Sequence, residues 1–564
     1  MLVSPPLIPK SIVVSSHWGC HAKSILGLAR CRVTRLMISY PLTVAGGRAV
    51  NGADVLCDAL LAHGVDVCFA NPGTSEMHFV AALDRRPDMR CILGLFEGVV
   101  TGAADGYGRM LRRPAATLLH TGPGLANGLA NLHNARRAGS PIVNVVGDHA
   151  AYHLQYDAPL TTDIESLASP MSRYVRRLGS ADEIAEGVAD AYRRAMLSPG
   201  PATLILPADS AWSAASGHAL GSLGEPLRPS PSADVVRDVA DAIRSSGGRF
   251  AILVGDEAAL EPGSMLTGRI ASRFEGAVLA EVLPSRVARG RSRVSPTSIP
   301  YPVDLALQSL KDVEVLVLVG ASEPVAFFAY PGKPSRLVPD GCKVIVLASR
   351  AEDQISALEA LADEIGADTD LHVARPALEP LHLTGPLTPD ALGELLARQL
   401  PEGAIVCDEG ITAAARFRAL SHRAAAHDSL SVPGGSIGGG IPLSVGAAVA
   451  CPDRKVVNLQ ADGSGLYTVQ GLWTEARENL DVLTIVLANR AYAILQGELR
   501  NLGVNEVGRN ATRMMSLSDP TIDWVQLAKG FGVEARRVDT CEAFADVLSV
   551  AMRRTGPFLV ECVI

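Results

Sequence analysis

Short apolar runs alternate with helix-like segments along most of the chain, and this alternation constrains the fold more than any other feature. The runs are rich in Val, Ile, Leu and Ala, and segments such as Ala53–His63 and Val99–Met110 lie between them. Apolar strands joined by helices are typical of parallel sheets with both faces covered. We therefore predict an α/β protein with doubly wound parallel sheets. The predicted strands are Val67–Ala70, Cys91–Phe96, Ala115–Leu119, Ile142–Val146, Thr203–Leu206, Phe250–Val254, Val313–Val319, Lys343–Leu347, Ala404–Cys407, Lys455–Leu459, Val482–Ala488 and Phe558–Val563.

Two segments divide the chain into three parts. At 564 residues the chain is too long for one hydrophobic core. Residues 216–234 are rich in Gly, Pro and Ser, and residues 374–389 are rich in Pro and Leu, so both are interpreted as linkers. We predict three α/β domains, at 49–215, 235–373 and 390–564, whose sizes fit the usual range.

The leader, residues 1–48, differs from the rest of the chain. It contains several Lys, Arg and Ser residues, and no acidic residue precedes Asp54. This composition resembles an organelle transit peptide. The simpler interpretation, which we favour, is translation starting near Met37 or a disordered tail, and the leader is left out of the fold.

Composition argues against two classes of partner. The formal net charge of -8 argues against non-specific nucleic-acid binding, and no uninterrupted apolar run is long enough to span a bilayer. The ten cysteines are scattered without a C-x-x-C pair, which indicates a reduced, cytoplasmic protein rather than a disulfide scaffold. Organelle import stays open because of the basic leader.

A hard oxygen-donor site is predicted at the ends of two strands in the third domain. Asp462 follows one apolar run, and Asn489 closes the next. Both can therefore meet at the carboxyl edge of one sheet, where their oxygens suit Mg²⁺ carrying a diphosphate. The N–H groups of Gly463 and Ser464 can face the anion. An ordinary Asp-Gly-Ser turn followed by a strand-closing Asn is the structural alternative.

The spacing of these residues resembles the thiamin diphosphate motif, in which Gly-Asp-Gly is followed further along by Asn-Asn. Ala461 and Ala488 replace the first residue of each element, while Asp462 and Asn489 are kept. The resemblance implies that Asp462 and Asn489 are metal ligands and that the backbone carbonyl of Ala491 is the third. The two replacements weaken the motif without removing a ligand.

Glu97 extends the same resemblance to the first domain. It ends an apolar run and precedes a helix of small residues, a segment similar to the glutamate segment of thiamin enzymes. In that family the glutamate hydrogen-bonds the aminopyrimidine ring and favours the imino tautomer, which removes the thiazolium C2 proton. A helix-capping glutamate is the structural alternative.

With both motifs, the chain is identified as a member of the thiamin diphosphate-dependent group that contains acetolactate synthase, benzoylformate decarboxylase and pyruvate decarboxylase. The resemblance covers residues 51–564. It implies a pyrimidine-binding first domain, a middle domain, and a third domain that binds the diphosphate and Mg²⁺.

Further cofactor contacts are implied by the resemblance. The segment from Gly435 to Pro442 is similar to the region whose apolar side chain bends the cofactor, which makes Ile437 that wedge and Ser436 its neighbour. Thr412 and Tyr492 are weaker candidates for cofactor binding. A core isoleucine beside a glycine turn is the alternative for Ile437.

The substrate pocket fits no single member of the group. Thr74 and His120 stand where benzoylformate decarboxylase has a serine and a catalytic histidine, and His120 would donate or accept a proton. The second histidine of that enzyme has no counterpart in residues 326–331. Ile494 and Glu498 would narrow the pocket against an aromatic oxo acid.

The resemblance implies a 2-oxo acid decarboxylase or carboligase. The ylid would attack the keto carbon, CO₂ would leave, and the enamine would be protonated or added to a second carbonyl. It also implies a homodimer or homotetramer with sites shared between subunits. A flavin oxidase of the same fold, with FAD in the middle domain, and a non-catalytic cofactor-binding relative stay open. A plain Rossmann nucleotide binder is disfavoured, because no G-x-G-x-x-G follows a first strand.

Overall fold

The computed structural model describes residues 50–216, 224, 226–368, 370–373, 375–504 and 506–564, so the predicted leader lies outside the described residues. The strands are β1 (Val67–Asn71), β2 (Arg90–Leu93), β3 (Ala115–Leu119), β4 (Ile142–Asp148), β5 (Tyr174–Arg177), β6 (Pro201–Pro207), β7 (Phe250–Val254), β8 (Ala277–Ala280), β9 (Arg286–Arg289), β10 (Thr297–Ser298), β11 (Val315–Val319), β12 (Lys343–Ala348), β13 (Ile405–Glu409), β14 (His427–Leu430), β15 (Val456–Ala461), β16 (Val482–Ala488), β17 (Glu534–Val538) and β18 (Phe558–Val563).

Helices connect these strands, with short 3₁₀ turns between some of them. The α-helices are α1 (Gly52–Ala62), α2 (Met77–Asp84), α3 (Glu97–Leu111), α4 (Thr121–Ala138), α5 (Ile164–Ala168), α6 (Ile184–Leu197), α7 (Ala208–Trp212), α8 (Ala233–Ser245), α9 (Gly263–Arg273), α10 (Val303–Leu310), α11 (Gln354–Ile365), α12 (Pro389–Gln399), α13 (Ala415–Leu420), α14 (Gly440–Ala450), α15 (Asp462–Gly465), α16 (Gly471–Arg477), α17 (Ala493–Asn501), α18 (Arg509–Met515), α19 (Trp524–Gly530) and α20 (Cys541–Ala551).

The first sheet has six parallel strands in the order β2-β1-β3-β4-β6-β5. Asn71 at the end of β1 pairs with Leu119 at the end of β3, so the carboxyl ends of these strands lie side by side. The predicted strand at Cys91–Phe96 was too long, because the chain leaves β2 after Leu93 and begins α3 at Glu97.

The other two sheets follow the same pattern. The second has five parallel strands in the order β10-β8-β7-β11-β12. The third has the order β17-β18-β16-β15-β13-β14-β9, and its strands are parallel except for β9. The α/β fold class with three parallel sheets is therefore confirmed.

Strand β9 joins two regions that the sequence separates. It lies within the predicted middle domain, yet it pairs antiparallel with β14 of the third sheet, with Ala288 opposite Asp428. The Arg286 guanidinium also contacts the Asp428 carboxylate at 3.1 Å. The domain boundaries predicted from the linkers remain predictions, and this strand crosses them.

Two helices of small residues bring the first and third domains together. A Cβ at Gly106 of α3 would collide with the Leu443 carbonyl, and one at Gly446 of α14 would collide with the Ala103 carbonyl. Only glycine at both positions permits so close an approach. Helix α3 of the first domain is thus packed closely against α14 of the third domain.

The described residues contain no helix that combines the length and the apolar character needed to cross a membrane.

Candidate active site

Asp462 lies at the carboxyl end of β15, as predicted, and only 3% of its surface is exposed. Its two carboxylate oxygens accept hydrogen bonds from the backbone N–H groups of Arg490, at 2.7 Å, and Gly463, at 3.0 Å. Burial raises the pKa of Asp462, while these two N–H groups oppose the rise. The carboxylate is therefore desolvated and held in place by backbone alone.

The residues after β16 meet this carboxylate. The Asn489 side-chain oxygen accepts from the Ala491 N–H at 3.0 Å, and the Arg490 N–H reaches Asp462. A Cβ at Gly463 would lie 2.6 Å from the Tyr492 ring, so that ring packs on the turn that begins α15. The predicted metal ligands Asp462, Asn489 and Ala491 are thus brought to one edge of the third sheet.

The segment 434–440, which contains the predicted wedge, is held by a buried glutamate. Glu409, at the end of β13, accepts from the N–H groups of Gly438 at 2.6 Å, Gly439 at 3.3 Å and Gly440 at 2.8 Å. The Gln460 amide donates to the same carboxylate at 2.9 Å and to the Ser464 hydroxyl at 2.7 Å. Burial raises the pKa of Glu409, and these donors oppose the rise.

The chain Glu409–Gln460–Ser464 therefore connects two predicted cofactor elements. One end fixes the backbone on the carboxyl side of Ile437, and the other ends at the turn that carries Asp462. Negative charge is favourable at the start of a helix, and here the Gly440 N–H group begins α14 while Gly438 and Gly439 directly precede it. Ile437 is half-buried beside this anchored turn.

Two asparagines of α4 hold the same segment from the first domain. Asn134 donates to the Ser436 carbonyl at 2.8 Å and accepts from its N–H at 3.2 Å. Asn131 donates to the Gly98 carbonyl at 2.8 Å and lies 3.5 Å from the Gly438 carbonyl. Gly98 follows Glu97, so this contact joins the start of α3 to the wedge segment.

Glu97 is the first residue of α3 and is 7% exposed. The Asn127 side-chain amide donates to its carboxylate at 3.0 Å. A Cβ at Gly124 would lie 3.0 Å from the second carboxylate oxygen, so a larger residue there would crowd it. The structure places Glu97 at the strand-end edge of the first sheet, as the sequence predicts.

His120 is anchored by a carboxylate that the sequence did not single out. Its Nδ1 lies 2.9 Å from a carboxylate oxygen of Glu76 and 3.2 Å from the Ser75 hydroxyl. Glu76 is buried and also accepts from the Ser75 hydroxyl and, at 2.8 Å, from the Gly73 N–H. With Nδ1–H donating to Glu76, the neutral ring keeps Nε2 as an acceptor.

The Glu76 carboxylate packs against strand β4 at a glycine. A Cβ at Gly147 of β4 would collide with the Glu76 carboxylate. Thr74, the predicted substrate hydroxyl, is exposed, and it is Ser75 instead that reaches His120.

Three non-glycine residues in the left-handed region flank predicted site residues. Thr121 follows His120 with φ 49°, Ile411 precedes Thr412 with φ 47°, and Arg490 follows Asn489 with φ 57°. Such backbone costs about 1–3 kcal/mol per residue and persists where the surroundings fix it. Each marks the exit of a strand towards the predicted site, and Thr412 is exposed there.

The predicted pocket residues of α17 lie one turn apart. Ile494 and Glu498 are on the same face of the helix and both are half-buried. The Tyr330 hydroxyl of the middle domain donates to the Glu498 carboxylate at 3.1 Å. The segment that lacks the second histidine thus contacts the predicted pocket through a tyrosine.

The structure forms two clusters, one at each sheet edge. Among the described residues, no hydrogen bond or ion pair joins Glu97 or His120 to Asp462 or Asn489. Sequence reasoning missed the partners that position these side chains. They are Glu76, Ser75, Asn127, Asn131, Asn134, Glu409 and Gln460. The sequence offered two signals for these partners. Glu76 directly follows the predicted turn, and Glu409 lies just beyond the predicted strand Ala404–Cys407.

Comparisons with known proteins agree with these two clusters. The thiamine pyrophosphate enzyme N-terminal TPP binding domain matches residues 50–168, and the C-terminal TPP binding domain matches residues 411–562. A Mycobacterium tuberculosis (strain ATCC 25618 / H37Rv) protein named "Putative acetolactate synthase large subunit IlvX" is 48% identical over 520 residues, which cover 91% of this chain and 99% of that protein. The chain belongs to the thiamine pyrophosphate enzyme family.

Other members of this thiamine pyrophosphate enzyme family match over similar lengths. Benzoylformate decarboxylase of Pseudomonas aeruginosa is 26% identical over 533 residues, which cover 89% of this chain and 97% of that protein. Among solved structures, the thiamine diphosphate-dependent 4-hydroxybenzoylformate decarboxylase of Rhodococcus jostii RHA1 has a TM-score of 0.78 at 25% identity, covering 91% of this chain and 99% of that one.

The third-domain edge fits a metal-bound diphosphate by its donor set. In the described residues, no three His, Cys, Asp or Glu side chains come together as a metal site. A cation here would instead rely on the Asp462 carboxylate, the Asn489 carboxamide and a backbone carbonyl, which are hard oxygen donors suited to Mg²⁺. A cation would also relieve the desolvation that raises the pKa of Asp462.

Proposed function

We propose that this enzyme holds thiamin diphosphate with Mg²⁺ and acts on a 2-oxo acid, releasing CO₂ and either protonating the remaining fragment or joining it to a second carbonyl. The observation that carries this proposal is the pair of buried carboxylates at two strand-end edges, Glu97 and Asp462. The cofactor, when bound, supplies the electron sink for the carbanion left by decarboxylation. The protein supplies orientation, exclusion of water and a proton relay.

The roles of the residues follow from their surroundings. Asp462, Asn489 and the Ala491 carbonyl would hold Mg²⁺, and the N–H groups of Gly463 and Ser464 would face the diphosphate. Glu97, with one oxygen bound by Asn127, would hold or return a proton at the aminopyrimidine ring.

His120 would exchange a proton with the substrate-derived fragment through Nε2. Its Nδ1 is engaged by Glu76, which sets the tautomer and ring orientation. Thr74 would contribute a polar contact to the substrate, and Ser436 and Ile437 would contact the cofactor, with Ile437 as the apolar wedge.

We propose that the site is completed between two copies of the chain. Within the described residues of one chain, no hydrogen bond joins Glu97 or His120 to Asp462 or Asn489. Mixing Glu97→Gln and Asp462→Asn subunits would then restore part of the activity, because each mixed dimer would contain one intact site. Two inactive variants that stay inactive after co-refolding would contradict a shared site.

The reaction is tested by reconstitution. Apoenzyme supplied with thiamin diphosphate and Mg²⁺ should release CO₂ from at least one 2-oxo acid in a panel of aliphatic, branched and aromatic substrates, with and without an acceptor aldehyde. With pyruvate, acetolactate would indicate carboligation and acetaldehyde simple decarboxylation. Cofactor binding without CO₂ release from any member of the panel would contradict the proposal.

A further inference from the structure

An aromatic loop of the middle domain, defined here as residues 325–330, reaches the predicted substrate side of the third domain. A Cβ at Gly435 would lie 2.6 Å from the Phe327 ring, so that ring rests on the backbone beside the wedge segment. At its other end, the Tyr330 hydroxyl binds Glu498 of α17. The loop therefore spans the space between the wedge segment and the pocket helix.

The rings of this loop form a continuous cluster. The Tyr301 and Phe327 ring centroids are 5.4 Å apart, and those of Phe327 and Phe328 are 5.1 Å apart. Phe327 is 41% exposed and Phe328 58% exposed, so both present ring surface to solvent. Neighbouring exposed aromatic rings form an apolar patch, and exposed apolar patches mark ligand-binding or interaction sites.

Glu498 gives the cluster a negative charge. One carboxylate oxygen accepts from Tyr330, and the other has no hydrogen-bond partner among the described residues. Burial raises the pKa of both Tyr301 and Tyr330, so the Tyr330 phenol keeps the proton that it donates to Glu498. The second carboxylate oxygen of Glu498 is left for a ligand.

The Lys333 ammonium lies over the Tyr330 ring. Lys333 lies 6.0 Å from the Tyr330 ring centroid, and its ammonium is neutralised by Asp304 at 2.7 Å. Rings combined with a nearby carboxylate attract cations through the ring quadrupole and the Coulomb term together. A neutral alkyl or aryl tail would gain from the rings but would have to desolvate the free carboxylate oxygen without compensation.

We infer that the pocket beside the aromatic loop selects a 2-oxo acid, or an acceptor carbonyl, whose side chain ends in a positively charged group. The inference rests on the proposed function and names the substrate class of that same site. Glu498 would bind the charge, and Phe327 and Phe328 would contact the groups around it. An aryl tail, stacked on the same rings, is the competing occupant.

The test is a matched pair of substrates that differ only in charge. One is 5-trimethylammonio-2-oxopentanoate and the other its carbon isostere, 6,6-dimethyl-2-oxoheptanoate, with benzoylformate as a third. The reconstituted holoenzyme should favour the cationic substrate over its isostere by about tenfold in kcat/KM, with benzoylformate below it. A ratio near one, or a preference for benzoylformate, would overturn the inference.

Variants separate a binding role from a structural one. Glu498→Gln should reduce the ratio of cationic to neutral kcat/KM to near one, whereas the exposed control Glu506→Gln should leave the ratio unchanged. Tyr330→Phe removes the hydrogen bond but keeps the carboxylate, so the ratio should persist. Equal loss of thermal stability in Glu498→Gln and Tyr330→Phe, with the ratio unaltered in both, would identify the pair as an interdomain latch and overturn the inference.

Different results would contradict the inferred substrate class and the proposed function. CO₂ release from the neutral isostere without any charge preference removes the substrate class and leaves the proposed function standing. No CO₂ release from any of the three substrates or from the wider panel, despite measured cofactor binding, removes both.

Discussion

The two strand-end clusters hold their carboxylates in different ways. In the third domain, Asp462 is bound by two backbone N–H groups, and Glu409 by three together with the Gln460 amide. In the first domain, Glu97 is bound by the Asn127 amide, and Glu76 by an imidazole and a hydroxyl as well as one N–H group. Backbone donors have fixed positions and suit the binding of a charged cofactor. Side-chain donors that titrate or rotate suit proton transfer.

A fifth carboxylate shows what happens without either kind of partner. Glu475 of α16 is fully buried, and neither of its oxygens has a hydrogen-bond partner among the described residues. Burial raises its pKa well above the ordinary value. Glu475 therefore lacks the hydrogen-bond donors that hold Asp462, Glu409, Glu97 and Glu76.

The largest effect on cofactor binding should come from replacing Asp462, which backbone N–H groups hold. Asp462→Asn keeps the shape but removes the charge that a hard cation requires. The affinity for Mg²⁺ and thiamin diphosphate, measured by calorimetry, should fall at least about 100-fold. The exposed control Asp453→Asn should bind normally. An Asp462→Asn variant with ordinary affinity would show that backbone-held acids here have no part in cofactor binding.

The side-chain-held acid should affect turnover rather than cofactor binding. Glu76→Gln leaves His120 without a carboxylate to fix its tautomer, so kcat should fall about 10- to 100-fold while cofactor affinity changes little. The pH profile of kcat should change as well, which loss of packing alone would not cause. Ser75→Ala, which removes only the hydroxyl, should have a smaller effect on kcat. Unchanged kcat and pH profile in Glu76→Gln would contradict the assigned role.

The unpartnered acid should affect only stability. Below the ordinary glutamate pKa of about 4.3, Glu475 is neutral in both the folded and unfolded states. As pH rises above that value, the unfolded chain releases the proton while the folded chain keeps it. The free energy of unfolding therefore falls with rising pH until the raised pKa is reached.

Glu475→Met should remove this loss. The variant should gain about 1–3 kcal/mol over the wild type at pH 8, and less at pH 5, in urea unfolding followed at both pH values. The exposed control Glu359→Gln should follow the wild type. A variant that is less stable than the wild type at pH 8 would mean that Glu475 has a partner or a role of its own.

Strands that are long apolar runs were predictable, whereas the charged strands β5 and β17 were not. β7, β16 and β18 have the predicted bounds, and all are buried through most of their length. β5 and β17 each contain two arginines and lie at sheet edges, where one side needs no apolar cover. An apolar pattern cannot mark strands of this kind.

Some residues of the candidate site could likewise be predicted from the sequence, and others could not. Asp462, Asn489 and Glu97 could be predicted because each follows an apolar run or matches a motif. Several side chains that position other residues of the site could not be predicted, because Glu76 meets His120, and Asn134 meets Ser436, only after distant segments have packed. The crossing of β9 into the third sheet depends on the same kind of contact.

The central claim is that Glu97 acts on a cofactor held by Asp462. The most direct test is the rate of hydrogen–deuterium exchange at the thiazolium C2 of bound thiamin diphosphate, measured by quenched-flow NMR in wild type and Glu97→Gln. The account predicts that cofactor affinity is nearly unchanged while the exchange rate falls at least about 100-fold. Equal exchange rates in the two proteins, with the cofactor bound in both, would contradict it.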